Sequence, residues 1–349
     1  LNLSLIIFTI FGSTLFIVPI VSLSYGVFVA GIIQLTIQLP LLYKLGYLRI
    51  PKINFNHFGS LKVVKLMGPA IIGSAAVQIN LLIDTIVASL LVTGSISWLY
   101  FSDRLIELPL AIFGIAISIV ILPILSSQYQ QDKSEEYAYT LRKSIKLASV
   151  IAIPSMIGLI ILSGAIISTL FMYGSFDLLD VEMTTLSLIT YSLGLPAFIF
   201  LKILVTGFYS RQDTKSPVIY SLIGILFNIV ANLSVLYVYL NYPFSGAHAL
   251  VALATSLSAW IQVLLMTLKL KKVGIITTNI FLNKVMLKML VASLIMGLAI
   301  YSYGNIFPHD YKIEYYHRAL SLIIDITLAA IIYIFMLKIM KERFLDYKI

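Results

Sequence analysis

Ten apolar stretches, each long enough to form a membrane-crossing helix, alternate with short polar connections along the chain. A helix rises ~1.5 Å per residue, so about 20 apolar residues bridge a ~30 Å hydrocarbon core. The pattern predicts spans at about 3–20, 23–43, 66–92, 98–127, 147–172, 184–209, 218–240, 249–268, 286–303 and 319–340. The first has no basic residues before it and no small-residue cleavage site after it, so it reads as a spanning helix, not a signal peptide. The chain starts on Leu1, in mid-run of apolar residues, which leads us to expect a piece of a longer protein. SSQYQQDKSEEYAYTLRKSIK, after the fourth span, reads as a polar loop with a short surface helix, and YGSFDLLDVEM, after the fifth, as an acidic loop.

The fourth span, WLYFSDRLIELPLAIFGIAISIVILPILSS, carries Asp103, Arg104 and Glu107 in its first third. Each charge costs on the order of 2.5–3.5 kcal/mol at the centre of a lipid-facing helix, so all three must face protein or water. Spacings of three and four put them on one side of the helix. Pro109 takes the helical donor from the Leu105 carbonyl and invites a kink just past the charges. Two readings stand: a polar pathway through the membrane, or a structural cluster that neutralises itself.

With 60% hydrophobic residues, 11% charged residues and a mean hydropathy of +1.01, the chain is an all-α, polytopic membrane protein by composition. It has no cysteine, which removes disulfides, thiolate metal sites and cysteine nucleophiles. The net charge of +9 does not point to nucleic acid, because the basic residues sit in short loops between spans. Of the 24 Lys and Arg, 20 fall in loops after even-numbered spans or in the C-terminal tail, which makes that side and the C-terminus cytoplasmic. No GxxxxGK[ST] loop, HExxH spacing or GxSxG elbow is present, and the four His are scattered. An enzyme is therefore the weaker class, and no cofactor is expected beyond an ion.

Serine, Asp and Arg before a carboxylate, then LPL, a Gly-containing apolar run and LPILS, resemble the eighth helix of the MurJ/MviN lipid II flippases. These are the peptidoglycan-precursor branch of the multidrug/oligosaccharidyl-lipid/polysaccharide exporter superfamily. LPLLYKLGYLRIPKINF followed by VVKLMGPAIIG, and GFYSRQDTKSPV, extend the resemblance in the right order over essentially the whole chain. The resemblance implies a bacterial inner-membrane protein that moves lipid II outward by alternating access. It implies fourteen helices in two six-helix lobes plus a final pair. The ten spans match helices five to fourteen: residues 1–50 as the last two helices of the first lobe, 51–272 as the second lobe, and 273–349 as a pair resembling the family's lipid-tail groove. The first four helices, with cavity-lining arginines of the first two, have no counterpart here.

By the same resemblance Arg104 stands at a cavity-lining position. Its planar fork suits a pyrophosphate better than an ammonium does, and Asp103 and Glu107 are placed to hold it or trade partners with it. Lys202, alone in the sixth span, matches a basic position of the tenth helix and either faces the same cavity or snorkels to the headgroups. A second constellation joins Asp84 of the third span with Asn228 and Asn232, one turn apart on the seventh, and Thr255 on the eighth; Val251 adds a backbone carbonyl. Oxygen ligands of this kind suit sodium, which some family members bind, and equally suit hydrogen bonding between helices. Asp325 in the last span reads as a helix-pair hydrogen bond. The expected partners are lipid II, membrane lipids and cell-wall synthesis proteins, and no nucleic acid. The rival readings are an exporter of another lipid-linked oligosaccharide or a drug, and a scaffold that transports nothing.

Overall fold

The computed structural model describes residues 1–46 apart from 13, 15 and 19, and then 78–275, 284–306 and 315–340. These fall into two compact units, Leu1–Val64 and Lys65–Ile349. Outside the described residues lie the start of the third predicted span with Gly68, Pro69 and Gly73, the loop holding His57, and positions His309 and Asp310.

In the first unit α1 (Asn2–Ile7) runs on as a wider helical turn over Phe8–Gly12 and packs on α2 (Val21–Lys44). Small residues let the two backbones approach: Ser4 Oγ donates to the Gly26 carbonyl at 2.7 Å, and a Cβ at Gly26 would meet Phe8 Cβ at 3.1 Å. The first expected span is shorter than its apolar run, since the helix stops at Gly12, where glycine and the following polar pair weaken it.

In the second unit α3 (Gln78–Ser89) leads through a turn at Gly94 into α4 (Ser95–Pro109). Gly94 has φ +103°, and a Cβ there would lie 2.6 Å from the Trp98 ring, so both conformation and space require glycine. The residue after Pro109 begins a wide turn, Leu110–Ile115, before regular helix resumes as α5 (Ala116–Gln130). The disturbance expected from the proline is thus spread over a turn of π geometry. α6 (Ser134–Phe171) is a single 38-residue helix. The surface helix expected before the fifth span is its first three turns, continuous with the span.

The sixth span is two helices, α7 (Leu178–Ser192) and α8 (Leu195–Tyr209), bent by 41°. It starts earlier than the hydropathy pattern predicts, because Asp177 and Asp180 close a reciprocal capping box that turns the acidic loop into a helix start. It breaks before Pro196, which supplies no donor to the Ser192 carbonyl. α9 (Lys215–Asn241), α10 (Ala247–Lys272), α11 (Lys284–Ile306) and α12 (Tyr315–Ile339) complete the order. Before α9, burial raises the Asp213 carboxyl's pKa, but bonds from the Ser216 hydroxyl and N–H at 2.7 and 3.0 Å outweigh it and leave the pKa below the usual value.

Seven helices among the described residues are long and apolar enough to cross a membrane, and eight with the bent pair counted as one. Eight of the ten expected spans therefore stand as helices of the expected length, while Asn2–Gly12 is a shorter apolar helix and the described part of the third span is the helix Gln78–Ser89. The main core lies between α5, α6, α7, α8 and α10, around Ile121, Leu141, Ile145, Leu188, Ile203, Leu204 and Met266. α11 and α12 form a second core against α6, where Tyr333 Oη donates to the Val150 carbonyl at 2.8 Å.

Candidate functional site

α4 buries Trp98, Leu99, Ser102, Ile106 and Pro109 and turns the opposite face away from the core of its unit. On that face Arg104 Nη1 meets Glu107 Oε2 at 2.5 Å, and the guanidinium lies 4.9 Å from the centre of the Tyr100 ring, four residues earlier. The two charged side chains remain 54% and 52% exposed. Asp103 is half-buried beside them, within electrostatic reach of Glu107, Arg104 and Asp84. The expected trio is therefore assembled. Lys202 is exposed on α8, and its backbone carbonyl accepts from Thr206 Oγ1 at 2.8 Å.

The second constellation converges from three helices. Asp84 Oδ1 on α3 accepts from Asn228 Nδ2 at 2.8 Å and Asn232 Nδ2 at 2.6 Å, both from α9, while Oδ2 accepts from Thr255 Oγ1 of α10 at 2.8 Å. Thr255 Oγ1 also approaches the Val251 carbonyl at 3.3 Å, and Asn232 Nδ2 the Asn228 Oδ1 at 3.2 Å. Asn80, one turn before Asp84, completes the group by accepting from Asn228 Nδ2 at 2.6 Å. The sequence pattern contained that signal: Asn80 shares a helix face with Asp84. Asp84, Asn228 and Asn232 are buried, and three donors satisfy the carboxylate. One atom is left over: Asn232 Oδ1 is buried without a hydrogen-bond partner among the described residues, an arrangement worth on the order of 1–3 kcal/mol to relieve.

A half-turn of either carboxamide exchanges Nδ2 for Oδ1 and turns a donor into a cation ligand. The donor set is then carboxylate, amide, hydroxyl and carbonyl oxygen, the chemistry of a hard cation without thiolate or imidazole. The leftover Asn232 oxygen fits that use.

A third polar group, not anticipated from the sequence, closes one end of the unit. Trp98 Nε1 donates to Asp180 Oδ1 at 2.7 Å, the Trp98 ring lies 4.8 Å from that of His248, and His248 Nε2 contacts the Met183 carbonyl at 2.9 Å. It ties α4, α7 and α10 together. Asp325 is buried on α12.

Charges on an exposed face of an apolar helix, beside a polar centre buried where three such helices meet, define a polytopic membrane protein built around polar surfaces inside the bilayer. A family model described as "Lipid II flippase MurJ" matches residues 1–322. The chain belongs to that family. A "Probable lipid II flippase MurJ" of Vibrio cholerae is 45% identical over 248 residues, 71% of this chain and 46% of that protein. One from Buchnera aphidicola subsp. Acyrthosiphon pisum is 36% identical over 353 residues, 99% of this chain and 66% of the relative. A solved structure, "Lipid II flippase MurJ, inward closed conformation", superposes with a TM-score of 0.73 at 27% identity, covering 97% of this chain and 65% of that one. The chain thus spans two thirds or less of the length of these relatives.

Proposed function

We propose that the complete protein is a transporter, not an enzyme, and flips the lipid-linked peptidoglycan precursor lipid II from the cytoplasmic to the outer leaflet by alternating access. In this reading residues 1–50 end the first lobe, 51–272 form the second, and 273–349 form a final pair whose groove receives the lipid tail. The membrane is the bacterial inner membrane and the C-terminus is cytoplasmic. The observation that carries the reading, beside family membership, is the Arg104–Glu107 pair: both side chains are more than half exposed on an apolar helix. Facing lipid, each charge would cost on the order of 2.5–3.5 kcal/mol, so that face looks onto water or substrate.

Arg104 then presents a bidentate fork to the pyrophosphate, Glu107 holds the fork while the cavity is empty, and Asp103 sets the local charge. Lys202 supplies a second cation from α8. Sodium couples to the cycle through Asp84, Asn228, Asn232, Thr255 and the Val251 carbonyl, a role supported by the all-oxygen donor set and the unsatisfied Asn232 oxygen. Sodium would neutralise a carboxylate now held by donors alone.

The test uses the full-length protein in cells depleted of their own flippase, following lipid II in the outer leaflet. Arg104→Ala should abolish export and Arg104→Lys restore it poorly. At this exposure the ion pair contributes no more than about 1 kcal/mol, so the melting temperature should hardly move. A neutral triple variant, Asp103→Asn with Arg104→Gln and Glu107→Gln, should be well expressed but inactive. Normal export by that variant would sink the substrate contact and leave the trio a structural device.

A further inference from the structure

α10 touches the Asp84 centre and the α7–α8 bend with consecutive residues. Thr255 Oγ1 donates to Asp84 Oδ2 at 2.8 Å. Ser256, about 100° further round the helix, donates to the Thr190 carbonyl at 2.8 Å. That carbonyl has lost its usual helical partner, because the Gly194 N–H turns back to Tyr191 at 2.9 Å. One turn on, Trp260 Nε1 donates to the Leu193 carbonyl at 2.9 Å. Backbone contact is direct as well: a Cβ on Gly194 would lie 2.6 Å from Ser256 Oγ and 2.8 Å from Ser256 Cβ. On its other side α10 is pinned to α9, one turn before Asn228, by Ser258 Oγ on the Gly224 carbonyl at 2.7 Å.

A helix interrupted at Leu193 and Gly194 does not fix its own angle, since its ladder of hydrogen bonds is discontinuous there. The side chains that hold the freed carbonyls fix it instead, and they stand beside the residue that grips Asp84. We infer that Ser256 and Trp260 are positioning residues that couple the arrangement around Asp84 to the angle between α7 and α8. The coupling goes beyond the transport reading and does not depend on which ion or proton rearranges the centre. Within that reading it has a use: Lys202 rides on α8, seven residues past the α8 start, so its place in the cavity follows the bend.

The experiment measures the bend itself. Spin labels can be placed in the full-length protein in nanodiscs, with any cysteine outside this cysteine-free stretch replaced by serine, at exposed positions, Leu179→Cys on α7 or Tyr209→Cys on α8, each paired with Leu268→Cys on α10. Each arm of 15 residues is ~22 Å long, so a 10° change in angle displaces its end by ~4 Å. Asp84→Asn should shift at least one of the two distances, and so should Thr255→Val, a near-isosteric change that cuts the link to Asp84 and, besides it, only the 3.3 Å approach to the Val251 carbonyl of the same helix. In a Ser256→Ala, Trp260→Phe background neither change should move them. Distances unaltered by both perturbations, or shifted equally with and without Ser256 and Trp260, would overturn the coupling.

Discussion

Gly194→Ala is the sharpest probe of how closely α10 is fitted to the bend. Non-bonded carbons rest about 3.5–4.0 Å apart, and the new methyl would start 2.8 Å from Ser256 Cβ, short by roughly 1 Å. That atom is fixed to the backbone, so relief requires α10 to retreat, which also stretches the Ser256–Thr190 bond. Overpacking of this kind costs about 1–3 kcal/mol and the lost bond about 1 more. Gly224→Ala makes a useful contrast. Its Cβ would fall closest to Gln262 Nε2 and 2.6 Å from Cγ, but these belong to a flexible side chain whose hydrogen bond to Ser258 Oγ is long at 3.4 Å, so it swings aside for under about 1 kcal/mol. Thermal melts of the full-length protein in one detergent, read by tryptophan fluorescence, rank the variants even if unfolding is irreversible. The decisive step is a cycle: in a Ser256→Gly background, which removes both contacting atoms, the same Gly194→Ala should cost almost nothing beyond a turn of the Phe198 ring. Equal loss in both backgrounds, or a larger loss from Gly224→Ala, would refute the argument.

Sodium should raise the melting temperature above that in potassium at equal ionic strength, and Asp84→Asn should shrink the difference; identical melting in both salts would remove the ion from the site. Trp98→Phe keeps the ring over Gly94 but deletes the 2.7 Å bond to the Asp180 carboxylate, so stability should fall by about 1.5–3 kcal/mol in the same melts. Impermeant thiol reagents applied from outside should label a cysteine at Asp177 and spare those at Lys133 and Lys271; outside labelling at Lys271 would overturn the assigned orientation.

Hydropathy makes eight helices of this fold legible, because one long apolar run leaves the backbone no solution in lipid except a helix. The polar centre is legible for a related reason: Asp84, Asn228, Asn232 and Thr255 are too costly in apolar surroundings to stand alone, so they find one another. Asn80 could have been added by its one-turn spacing from Asp84. What hydropathy misses is local geometry. Capping by Asp177 and Asp180 moved the α7 start by about one and a half turns, since a carboxylate satisfying backbone donors looks in sequence like an acidic loop. The break at Gly194 has a sequence signal in Pro196, but the side chain that takes up the freed Thr190 carbonyl belongs to an α10 residue more than sixty positions later. The group formed by Trp98, Asp180 and His248 joins three distant segments with no spacing signal at all.

The wide turn at Leu110–Ile115 also bears on how this chain tolerates change in length. Each residue removed from a regular helix rotates everything beyond it by about 100°, so a deletion within α5 would carry Ile117, Ile121 and Leu125 off the core. A turn of π geometry already holds one residue more than a regular turn needs. Single-residue deletions in this span should therefore be accepted between Leu110 and Ile115 alone, where the helix closes to normal pitch, and family members that are one residue shorter in this region should carry the gap there.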